Sequence, residues 1–498
     1  MPFRTIALRH FVAWQCVTSQ TPAETAALEP VKSGAKIDLT QGPVQGHILR
    51  MLGPFSLAVI ALISTGLVDS FFLGNLGGEA NPRAGTIALA ALGIAFPLTF
   101  IGNSANIGLG AGTMSAISRA LGEGETDRAK RQGAAAILFA LLVMTVLVAL
   151  MMVSVPMVTK IMGASGEVRT EALSYLMISL PGLVIVSVAS MCNNTLRAHG
   201  EAMLPSSIMI LGAFMNMAMD PFLIFGIGPF PEMGVAGAAL ATVIGNTVAA
   251  IYGLYLVRFV RRAVDFKAIT FSTIRHAWAT IAAVGVPAMG TNIIVPVGTF
   301  FATVAVTRMT SEVGLAAFSL ASRLELLSVG LLYALSACIG SVTGQNGGAG
   351  KTDRVEEAFR VSYKICLIWS TLMAVVLALA ARPLLGVFSN DPALIDMAVP
   401  YFYIVPITVF AYGYVFVTAA GFNALGRPRY GFVFTLLRSL VLYAPLVALG
   451  AWLHGLMGAF IGIAISNLFS GLAARYWALN RAPMTAMKSG RRKAAVKD

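Results

Sequence analysis

Three acidic side chains fall well inside long apolar stretches of this chain: Asp69, Asp220 and Glu325. A carboxylate at mid-bilayer costs roughly 2.5–3.5 kcal/mol on insertion scales, so each needs a task or a partner. Asn216 stands one helical turn before Asp220, on the same face. Two carboxylates that meet in low dielectric cannot both stay charged unaided; they share a proton or hold a cation between them. That chemistry suits ion coupling better than glue between helices. A second candidate is "GQNGGAGKTDRV" at 344–355, which looks like a nucleotide-binding loop. The phosphate cradle requires G-x-x-x-x-G-K-[ST] between a strand and a helix. Counting back from Lys351, the position of its first glycine holds Gln345.

Other chemistry finds no footing. Cys16, Cys192, Cys338 and Cys366 have neither disulfide nor metal spacing, and His10, His47, His199, His276 and His454 are scattered singly. No H-E-x-x-H motif is present, so neither an enzyme nor a metal or cofactor site is expected.

The elements that must position the acids follow from composition. Hydrophobic residues make up 57% of the 498 and charged residues 11%, too few charges to cover a water-soluble surface. Apolar stretches long enough to span a bilayer recur twelve times, from about 48–75 to 456–478. Most lysines and arginines fall in alternate loops, above all Arg258, Arg261, Arg262, Lys267 and Arg275, and in the tails. The positive-inside rule then puts both termini in the cytoplasm, and the net charge of +13 faces anionic lipid with no need for nucleic acid. Asp69 and Asp220 both sit ~10 Å below the outer edge of helices running outward.

The chain also repeats. One constant shift carries "LAALGIAFPL" at 89–98 onto "LAAFSLASRL" at 315–324, and "GEGETDR" at 122–128 onto "GAGKTDR" at 348–354. It carries Tyr175 onto Tyr401 and Gly200 onto Gly426. Two six-helix halves of the same orientation are implied. The expected plan is an all-α membrane protein of two pseudo-symmetric bundles, 47–258 and 276–480. A basic linker at 259–275 joins them, with tails at 1–46 and 481–498. The GKT-like loop is thus a helix–helix turn whose copy lacks the lysine. Energy should come from an ion gradient. The shift maps Asp69 onto Val295 and Asp220 onto Leu446, so the ion site is expected in the first half only. Arg323 and Glu325, two apart on one helix, point to different faces. Each calls for an interhelix partner or a substrate, whereas Arg438 lies closer to the cytoplasmic end and can snorkel.

"LTQGPVQGHILRMLGPFSL", "GLVDSFFLGNLG", "NNTLRAHGEAMLP", "MNMAMDPFLIFG" and "GVAGAALATVIGN" together resemble the multidrug and toxic-compound extrusion (MATE) family, over about 40–480. The resemblance implies export of cationic or amphipathic small molecules from the inner membrane, in exchange for H+ or Na+, by a monomer. The acid pattern is similar to the DinF-like branch. There the coupling site would comprise Asp69, Asn216 and Asp220, joined by Tyr175, Asn193 and Thr242, with Pro54 bending the first helix. Ser190 stands where a second asparagine is usual. The alternative within transporters is a flippase for lipid-linked sugars or other amphipathic lipids.

Overall fold

A computed structural model describes residues 38–480 except 79–80, 163, 268–269 and 389–390. Most of the two expected tails, 1–37 and 481–498, therefore lies outside the described residues. Among the described residues the regular structure is helical, since a helix satisfies its own backbone polar groups where no water is available.

Seven helices cross first: α1 (Val44–Gly74), α2 (Pro82–Gly122), α3 (Thr126–Ile161), α4 (Gly166–Ala198), α5 (Met203–Phe225), α6 (Gly234–Tyr255) and α7 (Phe271–Met309). The eighth crossing is broken into α8 (Glu312–Leu324) and α9 (Leu326–Gly348), with Glu325 at the joint. α10 (Thr352–Gly386) is continuous, and α11 (Pro392–Ile404) and α12 (Val409–Ala424) share one crossing through a short 3-10 turn. α13 (Pro428–Leu436) leads through a π-helical turn, Leu437–Tyr443, into α14 (Ala444–Asn480). α14 itself folds back at His454 and Gly455, where Gly455 takes φ 59° and ψ −141°, a conformation open to glycine. The long apolar segment Pro428–Asn480 is therefore two crossings, and the total is the expected twelve, in two bundles of six.

The two ends of the bundle differ. The loops after α2, α4, α6, α9 and α12 lie at one end, where Arg128 in the first turn of α3 joins Arg261, Lys351 and Arg427; we call it the basic end. There the halves are pressed together. A Cβ on Gly122 would collide with the Gln345 carbonyl, and one on Gly348 with that of Arg119. The Ser115 hydroxyl donates to the Ala424 carbonyl (3.1 Å), and the Gln345 amide donates to that of Ala198 (2.7 Å). Val44, Ile48, Met51, Leu52 and Phe55 of α1 are buried in the core of the second half, although α1 belongs to the first. The expected free tail ends sooner than 46. Leu39 is fully buried and α1 begins at Val44.

Candidate ion-coupling site

Asp69 lies on α1 five positions before Gly74, and Asp220 lies on α5 five positions before Phe225. At ~1.5 Å per residue each is ~8 Å from the end of its helix, the far end of the bundle. The side chains come together: the Asp69 carboxyl neighbours the Asp220 carboxyl and the Asn216 amide. Asp220 is 0% exposed, Asn216 is buried and Asp69 half-buried. Asn216 Nδ2 donates to Thr242 Oγ1 on α6 at 3.1 Å. The phenol of Tyr175, on α4, is close enough to feel both carboxylates.

Acceptors dominate this cluster. Asp69 Oδ1, both oxygens of Asp220 and Asn216 Oδ1 are buried with no protein donor. Pro221 has no N–H, so the carbonyl of Met217 one turn back also loses its helical donor. An unsatisfied buried acceptor costs about 1–3 kcal/mol, and two carboxylates, acceptors only when ionised, cannot bond each other. A proton carried on one of them, or a small cation among them, satisfies the set. Thr242→Ala is expected to weaken coupling-ion binding up to about tenfold, because Asn216 Nδ2 loses its fixed acceptor and the amide its orientation. The ion concentration giving half-maximal transport measures this, and Thr242→Ser, which keeps the hydroxyl, should stay near the parent.

One expected member, Asn193, sits elsewhere. Asn193 is 18 positions beyond Tyr175 on α4, ~27 Å further along. Its Nδ2 donates to the Pro205 carbonyl at 2.9 Å, tying α4 to the start of α5 at the basic end. Ser190 accepts from Asn194 Nδ2 through its carbonyl at 2.8 Å.

The second half has a polar cluster of its own. Glu325 Oε1 is buried without a donor, facing the Tyr401 hydroxyl and the charge of Arg438. No ion pair joins Glu325 to Arg323, which is exposed, among the described residues. Arg438 does not snorkel. It is 5% exposed, its guanidinium 3.3 Å from the Tyr412 ring centroid and 5.3 Å from that of Tyr443. Its Nε and Nη2 donate to Asn467 Oδ1 at 3.2 and 3.1 Å, and Asn467 Nδ2 donates to Thr408 Oγ1 at 3.3 Å. Two tyrosine faces and a buried acceptor outweigh the reach to the interface. No motif in the sequence singles out Asn467. Tyr401 is marked only by the repeat, which makes it the image of Tyr175, beside an acid in each half.

A helical membrane protein of two similar bundles, with a carboxylate pair buried in one, has the architecture of a membrane transporter. The MatE family profile matches residues 54–222 and 287–449, and the chain belongs to that family. It is 32% identical over 443 residues to a protein of Shewanella oneidensis named FAD transporter, covering 88% of this chain and 95% of that one. It is 24% identical over 337 residues to the probable multidrug resistance protein NorM of Thermotoga maritima, covering 67% and 70%. Among solved structures, the Vibrio cholerae MATE transporter VcmN in the bent form superposes with a TM-score of 0.80 at 26% identity, covering 89% and 98%. The chain is a multi-pass transporter of the membrane and not an enzyme.

Proposed function

We propose that this transporter exports cationic or amphipathic small molecules across the inner membrane in exchange for H+ or Na+, with its basic end in the cytoplasm. The observation that carries the reading is the convergence of Asp69, Asp220 and Asn216 into a buried set of acceptors without donors. An ion entering from the far side satisfies that set, and its binding draws α1 and α5 together. Pro54 stands where α1 passes from the core of the second half toward the acid pair, and it leaves the carbonyl of Arg50 without its helical donor. Bending there lets the far half of α1 respond while the near half stays packed. Each charge returned down the membrane potential supplies about 2.3 kcal/mol per 100 mV. Arg323 is exposed on α8 and would meet substrate or the water around it.

A second reading for the cargo rests on the Shewanella relative, whose name specifies FAD and whose identity exceeds that to the Thermotoga protein. A flavin dinucleotide is an amphipathic aromatic anion, and Arg323 would serve its phosphates. Proteoliposomes test both. Transport of a cationic dye and of FAD is followed with pH and Na+ gradients imposed separately. The proposal expects gradient-dependent movement of at least one cargo. Movement of neither, by folded protein under both gradients, sinks it.

A further inference from the structure

The GKT-like loop, which lacks the phosphate-cradle spacing, holds something else: the backbone of the chain's own segment 39–42. Leu39 N–H donates to Gln345 Oε1 (3.2 Å), and its carbonyl accepts from Asn346 Nδ2 (3.0 Å) and Arg354 Nη2 (3.1 Å). The Arg354 fork also takes the carbonyls of Gln41 (3.2 Å) and Gly42 (2.7 Å), while its Nε is steadied by Asn346 Oδ1 (2.8 Å). Lys351 Nζ donates to the Thr40 carbonyl at 2.8 Å. Gly42 turns the strap into α1 at φ +68°, and the Leu39 side chain is fully buried. The loop thus presents amide and cationic donors to carbonyl oxygens, in the place where a nucleotide loop would present them to a phosphate.

The placement of this strap matters more than its tightness. Residues 345, 346, 351 and 354 all belong to the second half, and α1, into which the strap runs, belongs to the first. Gln345 engages both: it accepts from Leu39 and donates to the Ala198 carbonyl at the end of α4. It also adjoins the seam where Gly122 and Gly348 let the halves touch. The strap precedes residue 54, where the family match begins.

We propose that residues 38–42 form a latch that holds the basic end shut, and that opening toward that end requires the strap to leave its socket. The latch rests on the ion-exchange reading above, in which the transporter opens to each side in turn. Separating the halves exposes the donors of Gln345, Asn346, Lys351 and Arg354 together, so losing the fork of Arg354 lowers the barrier for all of them. Asp38 does not operate the latch by titration near neutral pH. Burial works to raise the Asp38 carboxyl, but hydrogen bonds from Thr40 and Gln41 and the charge of Lys351 prevail and lower it. A depressed carboxyl contributes above its ordinary value of 3.8 and is lost only as pH falls through the lower folded value.

The deciding test, a labelling rate, is conformational and needs neither substrate nor gradient, so it succeeds or fails independently of what is transported. Ser118 is fully buried in the seam against Gly344. Ser118→Cys is introduced after Cys16, Cys192, Cys338 and Cys366 are replaced by alanine, and maleimide labelling is timed in purified full-length protein. Arg354→Ala is expected to speed labelling about tenfold or more, and Arg354→Lys by less, since it keeps charge without the fork. Leu39→Glu attacks the same contact from the strap side, at a residue buried against the core of the second half, and so complements the Arg354 variant; an unchanged thermal midpoint shows that the bundle is intact. It should speed labelling similarly. A short bismaleimide joining Thr40→Cys to Lys351→Cys, in protein without the Ser118 probe, should arrest transport of whichever cargo moves. Parental labelling rates in both Arg354→Ala and Leu39→Glu overturn the latch.

Discussion

Asp220→Asn is expected to reduce ion-driven export to passive leak while leaving the protein as stable as the parent or more so. The two halves of that expectation come from the same fact. Both Asp220 oxygens are buried without a donor, at the level of Asp69 Oδ1 and Asn216 Oδ1. An amide of the same shape brings two N–H donors into a group of orphaned acceptors, which relieves the desolvation penalty that the carboxylate bears. It also removes the charge that a proton or cation must neutralise, so the site stops exchanging anything. A residue that served packing alone would behave in the opposite way, losing stability and keeping transport. Asp69→Asn should follow Asp220→Asn in transport, with a smaller gain in stability because Asp69 is only half-buried. Substrate binding, measured without a gradient, should survive in both. The checks are proteoliposome flux under an imposed gradient and the apparent thermal midpoint in detergent. Gradient-driven export above about a tenth of the parent in both variants would falsify the assignment, since such a residue could shift the population-weighted cycle only slightly.

Much of this arrangement is legible in the sequence because a bilayer imposes simple rules. Span length and the cost of buried charge are enough to single out Asp69 and Asp220, and equal depth on two outward-running helices says they can meet. The internal shift supplies the two bundles. The rest depends on which face a side chain takes and on chain segments outside any period. Asn193 and Tyr175 share a helix, but 18 positions of rise separate them, and family likeness carries no ruler. The tendency of long cations to snorkel points Arg438 toward the interface. The π-helical turn Leu437–Tyr443 and the ring of Tyr412, which keep it inside, belong to tertiary packing. The strap at 38–42 is hidden for a further reason. Its partners recognise backbone carbonyls, which every residue has, so no side-chain pattern announces it. Lys351 and Arg354 make the loop look like a phosphate site because carbonyl clusters and phosphates ask for the same donors.

Arg438→Leu is expected to cause the largest loss of stability of any single change in the second half. The guanidinium is buried between two tyrosine rings, satisfies Asn467 Oδ1 twice, and is the positive charge facing Glu325. Removing it strands four groups at once: an amide oxygen, two aromatic faces and a carboxylate with an already unpartnered oxygen. Deleting one partner of a buried charged pair typically costs about 3–5 kcal/mol, most of it the penalty of the charge left behind. That origin can be separated from lost packing. If the stranded carboxylate dominates, Glu325→Gln should be mild alone and should recover part of the loss in the Arg438→Leu background, a coupling of about 0.5–3 kcal/mol. If lost stacking on Tyr412 dominates, the two changes should add. Arg382→Ala makes a suitable control, because the Arg382–Asp396 pair at 2.8 Å is exposed on both sides. A surface pair of that kind contributes about 0–1 kcal/mol, so its loss should scarcely move the thermal midpoint. Equal shifts for Arg382→Ala and Arg438→Leu would mean that burial does not set the strength of this cluster. The broken joint at Glu325 would then need another source of rigidity.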